Sequence, residues 1–334
     1  MTASKPPSYG GGGKACAIIV ALAACYPMSA ASADGWQLRL REDFETGAFS
    51  RAGGLYYKDN AEQAGGKVDF RRDGGRDGRA SLALTVHDTC KAGEDNCSDR
   101  AEVWERPDTL AAYGRQVWYA FSMKFADPVP RDDHRYVMAQ WKRAILPGAA
   151  GDYSPFLALR LSKGRLVATV ENDELAAPDA GAPDRADGCQ AGEAHASTGS
   201  DLRQTRALVA VQEATALADY DGFPQCAPHV QVTSRGAGFP SPSSGWIDFV
   251  FSVQPGPRGD GHIEIAANGR WVATVTGRIG HAGEGLGAAQ YFKFGPYRAG
   301  HDGSWTLYFD AFRRGPGCED VAPAELCKII EAGG

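Results

Sequence analysis

Apolar and polar positions alternate with a period of two along most of the chain, the spacing at which a β-strand turns successive side chains to opposite faces. The pattern predicts strands at Trp36–Phe44, Ala80–Val86, Asp99–Arg106, Val117–Phe125, Tyr136–Lys142, Phe156–Leu161 and Arg165–Val170. It resumes at Trp246–Val253, Gly261–Ala267, Trp271–Thr276, Tyr291–Tyr297 and Ser304–Arg313. Val117–Phe125 is almost continuously apolar, as a central strand is. Ser162-Lys-Gly164 and Asn268-Gly269 read as hairpin turns, and Asn-Gly is the strongest short hairpin signal. The Gly- and Arg-rich stretch 65–79 reads as turn or loop. With no βαβ alternation and no repeat, the pattern predicts one all-β domain, an antiparallel sandwich or jelly roll.

Residues 172–240 break the rhythm. Asp173–Ser200 is rich in Ala, Gly, Pro and Asp and reads as loop. Apolar residues at Leu202, Leu208, Val211 and Leu217 suggest a short helix within 201–220. A loop this long in a compact domain is usually functional or disordered. A lid over a cleft is the functional expectation, an ornamental insertion the alternative.

Lys5 and Lys14, the apolar run Ala15–Ala24 and the ending Ala31-Ser-Ala33 form a signal peptide over 1–33, too short to span a bilayer. Leu22-Ala-Ala-Cys25 offers lipidation at Cys25 as an alternative. Either way the protein is expected to be exported, secreted or periplasmic, with the domain at 34–334. Removing the segment leaves six cysteines, an even number that suggests disulfides in an exported chain. The sequential pairing Cys90–Cys97, Cys189–Cys226 and Cys318–Cys327 closes the shortest loops. With no Cys-x-x-Cys and no ligand-spaced His pair, no metal-binding motif stands out. The formal charge is −6, and loss of two lysines with the signal segment takes it to −8. That argues against nucleic acid as a partner; an anionic ligand would need a local cationic patch.

Three predicted strands carry such a patch on one face: Arg100, Glu102 and Arg106; Tyr136, Met138, Gln140 and Lys142; Tyr291, Lys293 and Tyr297. Side by side they would line a groove suited to an extended anionic chain. A phenol beside a Lys can have its pKa lowered, which makes a usable proton-transfer group. Hydrolytic arrangements are weak. Glu171-Asn-Asp173-Glu174 has Ala176 where a glycosidase Glu-x-Asp-x-x-Glu needs its last acid, and Gly-x-Ser-x-Gly, Walker and His-Glu-x-x-His motifs are missing.

Asp99-Arg-Ala-Glu-Val103, Val137-Met-Ala-Gln-Trp-Lys142 and Tyr291-Phe-Lys-Phe-Gly-Pro-Tyr-Arg298, in this order, resemble the signature strands of jelly-roll polysaccharide lyases. The heparin lyase I-like and glucuronan lyase-like group is the nearest, with alginate lyases as cousins. Asp43-Phe-Glu-Thr-Gly47, the pattern at 261–269 and Leu307-Tyr-Phe-Asp-Ala311 also fit, so the resemblance covers about residues 36–315. It implies a concanavalin A-like β-jelly roll and β-elimination at a uronic acid, on an anionic polysaccharide, by a monomer that requires no cofactor. The catalytic residues it implies are Tyr297 as base or acid, Lys293 as its electrostatic partner, Gln140 and Arg100 as carboxylate binders, and Lys142. Glu102 would orient Arg100. Arg106, Arg143, Tyr291, Arg298 and His134 complete the expected substrate contacts. Relatives commonly carry Gln-Trp-His where this chain has Gln140-Trp141-Lys142. A Lys, with an ordinary pKa of about 10.4, is a poor base unless desolvated or crowded by cations such as Lys293 and Arg143. Otherwise Tyr297 serves as both acid and base, or His134 or His87 substitutes. A structural Ca²⁺ is implied between first and last strands, with Glu45 and Asp310 as donors. A non-catalytic carbohydrate-binding jelly roll is the alternative that Lys142 keeps open.

Overall fold

The structure, a computed structural model, describes residues 35–90, 97–151, 153–173, 189–198, 204–215 and 222–333. The expected signal segment, with Cys25, lies outside the described residues, as do parts of 172–240. The chain separates into residues 1–30 and 31–334, and every described residue belongs to the second unit.

The early strands are short: β1 (Leu40–Glu42), β2 (Leu55–Tyr57), β3 (Gly66–Arg71), β4 (Ser81–Val86), β5 (Ser98–Arg100), β6 (Val103–Glu105) and β7 (Ala111–Ala112). Longer ones follow: β8 (Val117–Phe125), β9 (Tyr136–Ile145), β10 (Leu157–Ser162) and β11 (Arg165–Asn172). Next come β12 (Glu193–Thr198), β13 (Thr205–Val211) and β14 (Gln225–Ser234). The series ends with β15 (Ile247–Gln254), β16 (Gly256–Ala267), β17 (Arg270–Ile279), β18 (Leu286–Ala299) and β19 (Trp305–Gly315), before helix α1 (Ala324–Gly333).

The ladders between these strands are antiparallel. One layer runs β3–β4–β19–β8–β15–β16–β17, the other β18–β9–β10–β11–β13–β12–β14, and β14 pairs with β17 to join them. Between the layers sits an aromatic core. The Phe121 ring lies 5.4–6.3 Å from those of Phe249, Phe251, Phe292, Phe294 and Phe309. The fully buried Trp141 lies 4.6 Å from Phe292. Each such side chain contributes about 1.5–3 kcal/mol through burial. On the outer side of the first layer, α1 packs over Trp118, Val250 and Trp271, pinned by Cys318–Cys327. This is the expected β-jelly roll, and the three disulfides pair sequentially.

Several elements differ from their expectation. The stretch read as loop at 65–79 contains β3, an edge strand whose Val68 and Phe70 alternate with Lys67, Asp69 and Arg71. Charge on an edge strand deters unwanted pairing, and here it hid the alternation. Trp36–Phe44 is strand only at Leu40–Glu42. The 172–240 stretch is largely sheet in its described parts, and Thr205–Val211 is a strand rather than a helix. A short apolar run fits either periodicity; pairing with β11 and β12 decides it. Asp99–Arg106 breaks into β5 and β6 around Ala101-Glu102. Finally, Tyr136 and Met138 belong to the core, while Val137 faces the opposite side.

Candidate active site

The last of these differences has a cause in the registers. Phe294, Ala139 and Leu159 are opposite one another across β18, β9 and β10, and so are Tyr297, Val137 and Arg160. Between the two rows β18 advances three residues, β9 two and β10 one. Such bulges bend a sheet and re-aim its side chains. Gly295 makes the bend feasible on β18: its φ is +132°, and a Cβ there would lie 2.0 Å from the Ala101 carbonyl oxygen. The result is a hollow on the outer face of the second layer.

The hollow is a cleft of about 460 Å³, lined among others by Arg100, Gln140, Lys142, Tyr291, Lys293 and Tyr297. Six of the expected residues, from three separate segments, therefore meet in one place. Arg100 and Arg135 stack on the Tyr297 ring, 4.3 and 4.9 Å from its centre. Trp104 stacks on Tyr291 at 5.0 Å and carries Lys293 Nζ 4.5 Å above its ring.

Glu102 lies beneath the floor. It accepts hydrogen bonds from Lys293 Nζ at 2.7 Å and from Gln140 Nε2, and its backbone N–H donates to Gln63. It does not orient Arg100, whose carboxylate partner is Glu62 at 3.7 Å. The break between β5 and β6 turns Glu102 inward, where it fixes the amide and the ammonium instead. Burial lowers the Lys293 pKa more than the Glu102 charge raises it. Tyr291 goes the other way from the expectation of a lowered phenol: burial, helped by Glu102, raises it.

Other expected contacts lie elsewhere. Arg106 pairs with Asp108 on the surface. Arg143 donates to the carbonyls of His281, Leu286 and Gly287 and stacks on Tyr113, so it is turned away from Lys142. Arg298 is buried against Asp99 and serves the fold. His134 bonds Asp132, and its ring meets His301; ligand atoms of these three residues lie within 4.8 Å of one another. Sequence spacing could not show that pairing, since His301 is remote along the chain. His87 bonds Ser304. Neither His134 nor His87 lines the cleft.

Glu45 accepts from the backbone N–H groups of Arg79 and Ala80, and Asp310 from those of Arg76, Asp77 and Ala311. Both carboxylates secure the 76–80 turn. These bonds occupy Glu45 Oε1 and both oxygens of Asp310.

Arg135, Arg160 and Arg206 also line the cleft and were not anticipated. Arg160 was visible as a cation inside an apolar run, Leu157-Ala-Leu-Arg-Leu161; Arg206 sat in a segment read as helix.

The cleft thus presents amide, guanidinium and ammonium donors around a phenol. No curated protein matches the chain. Among solved structures, an endo-β-1,4-glucuronan lyase from the fungus Trichoderma reesei is 16% identical, with 80% of this chain and 93% of that one covered at a TM-score of 0.52. The cellulose induced protein Cip1 is 12% identical over 82% and 96% of the two chains, with a TM-score of 0.44. The alginate lyase AlyC3 is 14% identical over 70% and 74%, with a TM-score of 0.39. At such identities the glucuronan lyase shows a shared fold and nothing more. The family described as polysaccharide lyase matches residues 44–313, a span that runs from before β2 into β19 and holds every strand lining the cleft. The chain therefore belongs to that family and is a polysaccharide lyase.

Proposed function

We propose that the protein is exported and cleaves a uronate-containing polysaccharide by β-elimination in this cleft. The observation that carries the reading is the convergence of Arg100, Gln140 and Tyr297 from three strands in one cationic hollow. Arg100 and Gln140 bind the carboxylate of the reacting uronate, which stabilises the negative charge that develops when the adjacent ring proton leaves. Tyr297, as phenolate, takes that proton. The electron pair forms the ring double bond as the glycosidic C–O bond breaks, and the proton passes to the leaving oxygen. Arg143 is turned away from Lys142, and neither His134 nor His87 lines the cleft, so Tyr297 performs both transfers. Lys293 and Lys142 hold the anionic chain, and Glu102 positions Lys293 and Gln140. Arg206, on β13 within the 172–240 stretch, lies in the cleft wall. Three disulfides, and no described helix long and apolar enough to cross a membrane, support an extracellular or periplasmic protein.

The test is ultraviolet absorbance over time with glucuronan, alginate, heparin, heparan sulfate and hyaluronan. β-Elimination creates a double bond conjugated to the carboxylate, and hydrolysis does not. Tyr297→Phe should lose at least about 100-fold in turnover, the contribution of a positioned proton-transfer group, while polymer binding measured by gel retardation persists. Retained turnover in that variant would overturn the assignment.

A further inference from the structure

Arg160 and Arg206 stand on the wall of the cleft, and the elimination proposed above makes no use of them. Arg160 shares its cross-strand row with Tyr297 but starts two strand spacings away, about 10 Å. Its side chain leans from there toward β11. Nε donates to Thr169 Oγ1 at 3.0 Å and Nη2 to Glu171 Oε1 at 3.4 Å, which leaves Nη1 without a partner among the described residues. Arg206 Nε donates to the same Glu171 oxygen at 2.6 Å. Glu171 is buried, so two guanidiniums share one carboxylate, and Arg135 adds a third positive charge nearby.

A fold needs only one such partner to neutralise Glu171. Arg160, the more buried of the two, is held largely out of water with half a counter-charge, which costs stability unless something anionic completes it. Desolvation first, then the Arg206 charge, pulls the Arg160 pKa down to about 9 against the opposing pull of Glu171. The open guanidinium edges face the space a carboxylate could enter, and a planar fork suits a carboxylate better than a point charge does.

We propose that Arg160 and Arg206 form a second carboxylate-binding subsite, separate from Arg100 and Gln140, which engages a uronate beyond the one being cleaved. The inference rests on the uronate reading of the preceding subsection. Its ligand is an acidic oligosaccharide long enough to present two carboxylates to the cleft. β13, which carries Arg206, lies four strand spacings from β18, about 19 Å, and a disaccharide seated at Tyr297 is shorter than that.

The experiment titrates glucuronate and mannuronate oligomers of two and of five residues into the Tyr297→Phe protein by calorimetry. Each is repeated with Arg206→Gln added; the series that binds more tightly decides. Arg206 is one-third exposed, so its loss spares the core, and a thermal melt checks the fold. Removing a charged hydrogen bond should weaken the pentasaccharide about tenfold and the disaccharide far less. Arg160→Gln should give the same dependence on length; if it fails to fold, Arg206→Gln still decides. Equal pentasaccharide affinity with and without Arg206, an equal loss at both lengths, or no pentasaccharide binding at all would overturn the subsite. Turnover of the pentasaccharide by the unaltered protein is read separately. A length-dependent loss without turnover would sink the lyase mechanism and leave the subsite standing, and turnover without it would sink the subsite alone.

Discussion

Glu102 accepts from Lys293 and Gln140, side chains on two different strands, and both ion-pair partners are buried. Removing one member of such a pair leaves an uncompensated charge. Glu102→Gln should therefore cost about 3–5 kcal/mol, read as a lower denaturant midpoint. Glu102→Gln with Lys293→Met should recover most of that loss. The pH dependence follows from burial of Lys293. Its folded pKa lies below the ordinary value of 10.5, so the unfolded chain keeps the proton to higher pH than the folded one. Stability from this group therefore rises with pH through the window that ends at 10.5. Above about 10 the raised Tyr291 pKa begins to oppose it, because there the folded state holds the extra proton. Lys293→Met should flatten the rise in denaturant midpoint below pH of about 10; an unchanged profile would contradict a depressed Lys293.

At the level of elements, the site depends on bulges that strict alternation does not contain. Residues 291, 293 and 297 were legible as one face of β18 because they keep even spacing, two and four residues, through the bend. On β9, alternation put Tyr136 and Met138 in the groove, and the register shift puts Val137 there instead. Gly295 is where the bend meets the chain of β5 and β6. Gly295→Ala forces a side chain to φ +132° and against the Ala101 carbonyl. Backbone strain of this kind costs on the order of 1–3 kcal/mol, and steric overlap adds to it. The melting temperature should fall, and turnover should fall further than stability alone accounts for, since Tyr297 and Arg100 move together. A variant with native turnover would show that the bend is incidental to the site.

Over the whole molecule, a chain of formal charge −6 concentrates Lys58, Arg100, Arg135, Lys142, Arg160 and Lys293 around one hollow. The global field repels a polyanion, and the local one attracts it within a Debye length of about 10 Å at 0.1 M salt. The Michaelis constant on a polyuronate should therefore rise steeply as salt is raised to about 0.5 M, with kcat much less affected. A salt-independent Michaelis constant would argue against charge as the source of affinity. The period-two pattern and the hairpin turns determined an antiparallel β-sandwich, because alternation along a strand is a local property that burial on one face enforces. Cysteine spacing favoured the sequential pairing without fixing it among the 15 possible, since near neighbours in the chain meet at least entropic cost, and the fold brings those three pairs together. Motif order brought Arg100, Gln140, Lys142, Lys293 and Tyr297 into view, and all five line the cleft. Tertiary structure alone decided that Glu102 serves Lys293 rather than Arg100, that Arg143 and Arg298 face away, and that Arg160 and Arg206 face in. Those outcomes hang on the register between strands far apart in sequence, where one inserted residue reverses which face a side chain occupies.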